Sequence, residues 1–241
     1  MTMSKTTLEK LVVKCLDDFY GRRIGKLSGL KLKDTLKRKN PYLFRAVGTQ
    51  TASEIVEQLL TAYMSSSDEG IFGDAFFEPL AKAVSGGVSS PSEGVDVAIE
   101  TSDSYTAIAV KSGPSVFNAQ SKRRQNQDFQ ALQKRMLKLQ KHFEALVGYC
   151  YGNKKTKTEA GKWVFQELAG QEFWSRLTGD NDFYMKLIDA MKGRPEIHRQ
   201  KFEEEWSKAV NRFTGEFIEV YCGKDGAIDW HALVEFNSGK R

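Results

Sequence analysis

Cysteine is scarce in this chain of 241 residues. Its three copies, Cys15, Cys150 and Cys222, lie far apart with no CxxC pair. That spacing gives no support to a zinc site, and an odd, sparse count fits reduced thiols in a cytoplasmic protein better than a disulfide framework. Histidine is equally rare: His142, His198 and His231 are isolated, so no Cys–His or Ser–His nucleophilic set is supported. His142 reads as a helix-end residue, and His231 follows Trp230 in an expected helix. No N-terminal run is long and apolar enough for a signal peptide or membrane span. Internal repeats and low-complexity segments are missing too.

What the chain does have is clustered positive charge. The formal net charge is only +5, but its placement is uneven. Arg22, Arg23, Lys26, Lys31, Lys33, Lys37, Arg38 and Lys39 face only Asp34 in their stretch. Lys122, Arg123, Arg124, Lys134, Arg135, Lys138 and Lys141 face only Asp128. A third block holds Lys154, Lys155, Lys157 and Lys162, while Glu203, Glu204 and Glu205 gather elsewhere. Any one block can be a solvated helix face; three of them suit a polyanion, because clustered cations neutralise phosphates. The segment Asn118, Gln120, Arg123, Arg124, Gln125, Asn126, Gln127 adds side chains able to pair with adenine or guanine edges. Exposed helix starts are also rich in amides. Hydrophobic residues make up 40%, enough for a globular core with a smaller appended part.

The stretch from Glu93 to Asp128 carries the sharpest signal. Val95, Val97 and Ile99 alternate with Asp96, Ala98 and Glu100; after Ser102-Asp103-Ser104, Tyr105, Ala107, Ala109 and Lys111 share one face and Thr106, Ile108 and Val110 the other. Both runs have the period of strands, and Ser112-Gly113-Pro114 stops the second. The hairpin places Asp96 near Lys111. An acid and a lysine on neighbouring strands beside a basic helix is a layout suited to metal-dependent phosphodiester hydrolysis. A turn aspartate and a solvated strand-end lysine would give the same pattern.

Upstream, Phe72, Phe76, Leu80 and Val84 repeat every four residues, predicting a helix over 73–84 that packs on the sheet. Asp74 and Glu78 flank that stripe, and Pro79 is expected to kink the helix and aim Glu78 inward; an exposed flank glutamate is the alternative. Further helices are expected over 7–20, over 53–64 with Ser53 as cap, over 125–142 and through most of the chain after Gly161. Leu8, Leu11, Val12, Cys15, Leu16 and Phe19 line the first. Phe213, Phe217, Ile218 and Tyr221 form a late stripe. A third buried strand is expected over 145–151, and loops over 65–68 and 85–92.

The runs IFGDAFFEPLA, EGVDVAIE, YTAIAVKSGPSVFN, NRFTGEFIEVYC and IDWHALVEFNSG resemble the PmeII-type restriction endonucleases of the PD-(D/E)XK nuclease superfamily. The likeness runs from about Asn40 to the C-terminus, with KSGP and FNSG its most distinctive pieces. It implies an α/β fold with a restriction-endonuclease-like core, a small mixed sheet flanked by helices, and helical N- and C-terminal extensions. The expected division is a basic helical extension over 1–48, a nuclease core over 49–160 and a mostly helical part over 161–241. The resemblance makes Asp96 the metal-binding aspartate, Lys111 the motif lysine and Glu78 the acid from the first core helix. It also implies Mg²⁺, double-stranded DNA as substrate, a homodimer and a companion DNA methyltransferase. Ser112, Asn118, Gln120, Lys122, Arg123 and Arg124 are the expected DNA contacts. One departure stands out: the superfamily has Asp or Glu two residues before the lysine, and here that position is Ala109. Asp128, the only acid between Lys111 and Glu144, is the candidate replacement, with Glu93 and Glu100 behind it. The competing view leaves Asp128 on a solvated helix face, paired with Arg124. A DNA-binding relative that lost the chemistry, or a repair or other nuclease, are the alternatives to a restriction enzyme.

Overall fold

The computed structural model describes residues 3–116, 118–153 and 163–239. The third basic block, Lys154, Lys155, Lys157 and Lys162, lies outside the described residues. The chain is α/β. It forms two compact units: one draws on residues up to Phe19 and on Gly70–Arg194, the other on Tyr20–Glu69 and on Pro195 onward. These units interleave along the chain, where the sequence reading drew three consecutive segments.

The first unit is built on a five-stranded sheet in the order β1-β2-β3-β4-β5. β1 (Val88–Ser89), β2 (Val97–Glu100) and β3 (Ser104–Lys111) are antiparallel neighbours; β4 (His142–Tyr149) and β5 (Gln166–Ala169) continue parallel to β3. Alternation sorts the side chains onto two faces. Val97, Ile108, Val110, Leu146 and Leu168 join a core with Leu8, Val12 and Leu16 of α1 (Lys5–Ser28), Leu80 of α5 (Glu78–Ser85) and Trp174 of α7 (Gln171–Thr178). Ala98, Ala107, Ala109, Ala145 and Ala169 make the other face small, and on it pack Phe129, Leu132 and Met136 of α6 (Ala119–Lys138). Among the described residues no helix is long and apolar enough to cross a membrane.

The hairpin and the helical stripes of the sequence are present, with several shifts. β4 starts at His142, so this histidine opens a strand where a helix end was expected; α6 begins earlier, at Ala119, because Asn118 caps it by accepting from the Ser121 N–H at 2.9 Å. β5 was not anticipated, since four residues are too few to show a period. The expected loop at Ser65–Asp68 is helical: α4 runs Ala52–Phe72. Its start is a reciprocal cap, with Glu54 accepting from the Gln50 and Thr51 N–H groups and Thr51 Oγ1 accepting from the Glu54 N–H, and not a Ser53 cap.

Past Phe72 the helix widens into a π-turn, Gly73–Phe77, where the Glu78 N–H reaches back five residues to the Gly73 carbonyl. Pro79 follows at the head of α5; having no N–H, it cannot continue the ordinary ladder.

The second unit is helical. Leu32 and Leu36 of α2 (Leu32–Leu36), Phe44 of α3 (Pro41–Ala46), Ile55, Val56, Leu59 and Leu60 of α4, Phe213, Phe217 and Tyr221 of α9 (Arg194–Tyr221) and Leu233 of α10 (Trp230–Ser238) form its core. Ile218, expected in that stripe, is half exposed because it lies one position off the four-residue spacing of its neighbours.

The close approach of α7 to β4 yields a stability prediction. A Cβ at Gly148 would meet the buried Phe173 ring at 2.0 Å. Gly148→Ala should therefore cost about 1–3 kcal/mol through overpacking, read as a lower denaturant midpoint with an unchanged slope. An unaltered midpoint would contradict this packing.

Candidate active site

The site is assembled at the C-terminal end of β3. Antiparallel register opposes Val97 to Ile108 and Ala98 to Ala107, which carries Asp96 level with the end of β3. The Asp96 N–H donates to the Ile108 carbonyl at 3.0 Å, and its Oδ2 accepts the Val110 N–H at 2.7 Å. Lys111 Nζ lies 3.4 Å from the same oxygen. Both side chains keep about a quarter of their surface exposed, so the pair adds little stability, on the order of 1 kcal/mol or less. What it does is hold a cation and an anion together at an accessible strand end.

Glu78 enters from the other side. The π-turn lies against the end of β3: a Cβ on Gly73 would sit 2.8 Å from the Ser112 side-chain Oγ, so glycine leaves room there for that hydroxyl. Glu78 is half-buried. Its relation to the strand pair is recorded by Cys150, whose thiol is 5% exposed. Burial holds that thiol well above its ordinary pKa; Glu78 pushes it further, Lys111 pulls it down and Asp96 raises it. All three expected catalytic side chains thus act on one buried sulfur. The protonated thiol offers no soft ligand. The acids that bear on it, Glu78 and Asp96, carry hard carboxylate oxygens, the ligand type that suits Mg²⁺.

Ala109 is wholly buried within the alanine-lined face under α6. The acids that might replace a carboxylate there are held elsewhere. Glu100 pairs with Tyr105 at the turn end of the hairpin and bonds Lys141. Glu93 is ion-paired with Arg124. Asp128 lies against Gly94, where a Cβ would meet its Oδ2 at 2.8 Å, and Gly94 itself holds φ at +72°, a conformation glycine adopts freely. Burial raises the pKa of Asp128; Glu93 adds to this and Arg124 opposes it. Glu93 and Arg124 are thus the charged groups that shift it. Among the described residues, no group of three or more His, Cys, Asp or Glu side chains is gathered for a metal ion.

α6 divides its polar residues between structure and solvent. Gln125 is buried and donates its amide to the Gly94 carbonyl at 2.6 Å, pinning the turn that precedes Asp96. Asn126 accepts the Val164 N–H at 2.9 Å. Lys122 is 2.8 Å from Glu167 of β5, which also accepts the buried Tyr149 hydroxyl at 2.5 Å. Gln120, Arg123, Gln127, Lys134 and Lys138 are exposed, and their three- and four-residue spacing makes one outward stripe. Tyr149 and Glu167 were not singled out from the sequence, where Gln125 reads as a base contact and not as a structural amide. A glutamine amid amides and a glutamate in an unseen strand leave no local mark.

A match to known families covers most of this region: a family model described as type II restriction endonuclease EcoO109I spans residues 6–198. No curated protein matches the chain.

The environment of Asp128 predicts a pH dependence. Its folded pKa is raised, so the protonated form favours the fold and that advantage is lost as pH rises from the ordinary carboxylate range, about 4, through the raised value. Asp128→Asn should therefore melt higher than the parent at pH 7, with the gain shrinking below about pH 4. An equal melting difference at both pH values would contradict it.

Proposed function

The chain belongs to the EcoO109I family of type II restriction endonucleases, and on that footing we propose that it hydrolyses double-stranded DNA at a specific sequence with Mg²⁺. The observation that carries the proposal is the Asp96–Lys111 pair at the accessible end of β3, with Glu78 bearing electrostatically on the same buried thiol, Cys150, as that pair. The PmeII-type likeness of the KSGP and FNSG runs is a finer statement within the same reading.

Asp96 and Glu78 would hold the metal, which when bound supplies charge neutralisation at the scissile phosphate and a more acidic water. Two carboxylates would suffice to hold Mg²⁺, an ion commonly bound through one or two carboxylates. Asp96 Oδ2 is already engaged by the Val110 N–H and Lys111, which fixes the carboxylate plane and leaves Oδ1 for a ligand. Lys111 orients the attacking water and stabilises negative charge as it develops on the oxygens of the scissile phosphate. Cys150, protonated and buried, keeps solvent from the floor beneath the three charges.

Around this centre, the Gln120, Arg123, Gln127, Lys134 and Lys138 stripe meets the duplex. Lys122 and Arg124 orient α6 through their ion pairs, and Ser112 and Asn118 lie at its approach. A homodimer places two such centres on the two strands of a twofold site. A companion methyltransferase in the same cytoplasm would protect host copies of that site. The rival is a DNA-binding relative without chemistry, favoured by Ala109 and by the lack of a three-ligand group among the described residues.

Plasmid DNA with Mg²⁺, followed by mapping of fragment ends, separates these readings. Discrete fragments are expected. A smear would indicate a nonspecific or repair nuclease, and binding without cutting the rival.

Asp96→Ala and Lys111→Ala should each lower the cleavage rate by about 100-fold or more, the scale of losing one transition-state stabiliser, with DNA binding retained. Near-normal cutting by either would overturn their assignment. Asp128→Asn should cut as the parent does; a loss partly restored by added Mg²⁺ would instead make Asp128 the relocated ligand.

A further inference from the structure

The helical unit presents a surface that phosphodiester chemistry at Asp96 does not employ. From Arg22 to Gly48 the sequence places nine Lys and Arg against Asp34 alone. α2 turns Leu32, Thr35 and Leu36 inward, and Lys33, Lys37 and Arg38 are exposed. α3 then buries Pro41 and Phe44 while Tyr42, Leu43 and Val47 stand out, at 63%, 57% and 62% exposure. Three large apolar groups on six residues form a cluster, not scattered exposure.

This corner is firmly built. Asn40 Oδ1 accepts the Tyr42 and Leu43 N–H groups at 3.0 and 3.3 Å. Asn237 donates its amide to the Leu36 and Lys39 carbonyls at 3.1 and 2.9 Å, tying the α2–α3 junction to α10. The Arg45 guanidinium lies 5.3 Å over the Trp230 ring, and the Thr49 N–H closes the far end onto the Phe44 carbonyl at 3.1 Å. An apolar tip kept exposed on a rigid, cation-flanked mount is arranged for a partner.

We propose that the α2–α3 corner is a second DNA-contacting surface. Its cations engage phosphates while Tyr42, Leu43 and Val47 pack against the sugar and base edges of a groove, as apolar side chains do in groove-binding proteins. The charge selects the occupant. A second copy docked through the same patch would set these cations against themselves, and like-charge juxtaposition opposes association; a duplex supplies the complementary sign. This inference rests on the nuclease reading and extends it to a substrate-holding element remote in sequence from Asp96 and Lys111.

Two variants in the full chain test it, with a fluorescently labelled duplex in EDTA so that binding is read without hydrolysis. Lys37→Gln/Arg38→Gln/Lys39→Gln should reduce the slope of log affinity against log salt by roughly 2–3 units. Tyr42→Ala/Leu43→Ala should weaken binding about tenfold with the slope unchanged, since it removes apolar contact and no charge. Circular dichroism should show both folded. Cleavage by the parent together with parental affinity and slope in both variants would overturn the inference and leave the nuclease standing. So would a change in solution mass of Tyr42→Ala/Leu43→Ala with DNA binding intact, which would assign the tip to a second copy. A parent that neither binds nor cuts would overturn the underlying reading as well.

Discussion

Eight consecutive rungs of parallel pairing between β3 and β4, from Ser104↔His142 to Lys111↔Tyr149, are the constraint from which the sheet unit follows. A parallel pair cannot be joined by a tight turn, so the chain must leave β3 and return to its starting end through a crossover. α6 is that crossover, and its length follows from its task. The same pairing brings the ends of β3 and β4 side by side, so Lys111 and Ser112 on one strand neighbour Tyr149 and Cys150 on the other. The Cys150 N–H donates to the Lys111 carbonyl at 2.8 Å and the Tyr151 N–H to the Ser112 carbonyl at 3.1 Å. Every candidate catalytic group is placed by reference to that shared end.

The hairpin and the Phe76–Leu80–Val84 stripe were legible because each has a local cause, a turn or a period; the helix after Thr51 was legible by its period, but its cap is Thr51 with Glu54 and not Ser53. Asp96 beside Lys111 followed from the hairpin alone. The reading of Glu78 as their partner rests on Pro79 and on likeness to known nucleases, while the π-turn before it, where the Glu78 N–H bonds the Gly73 carbonyl, leaves no local signal. β5 and the role of Gln125 were not legible at all. A four-residue strand has no period to read, and a buried amide bonding a carbonyl 31 positions away depends on tertiary placement. The amide-rich helix start shows the converse: Asn118, Gln125 and Asn126 looked like base readers and serve the backbone, because buried or terminal N–H and C=O groups claim nearby amides first.

Ala109 illustrates how a site and a core compete for one position. It belongs to a face of five alanines that lets α6 lie close on the sheet. A carboxylate there would have to be reached by solvent or metal, and the close packing of Phe129 and Leu132 leaves that face dry. The missing acid and the tight crossover helix are two aspects of one arrangement. On the proposed reading, metal binding would then fall to Asp96 and to a group from outside the sheet.

That outside group depends on a count. A helix turns about 100° per residue, so the π-turn at Gly73–Phe77 acts as a register shim between α4 and α5. Deleting or adding a single residue there would leave composition and hydrophobicity almost unchanged, yet it would rotate α5 by more than a quarter-turn and carry Glu78 away from the strand ends. The segment is therefore constrained in length more than in sequence: its outward positions can change freely, while an insertion or deletion would turn Glu78 away from the place the proposed metal site requires.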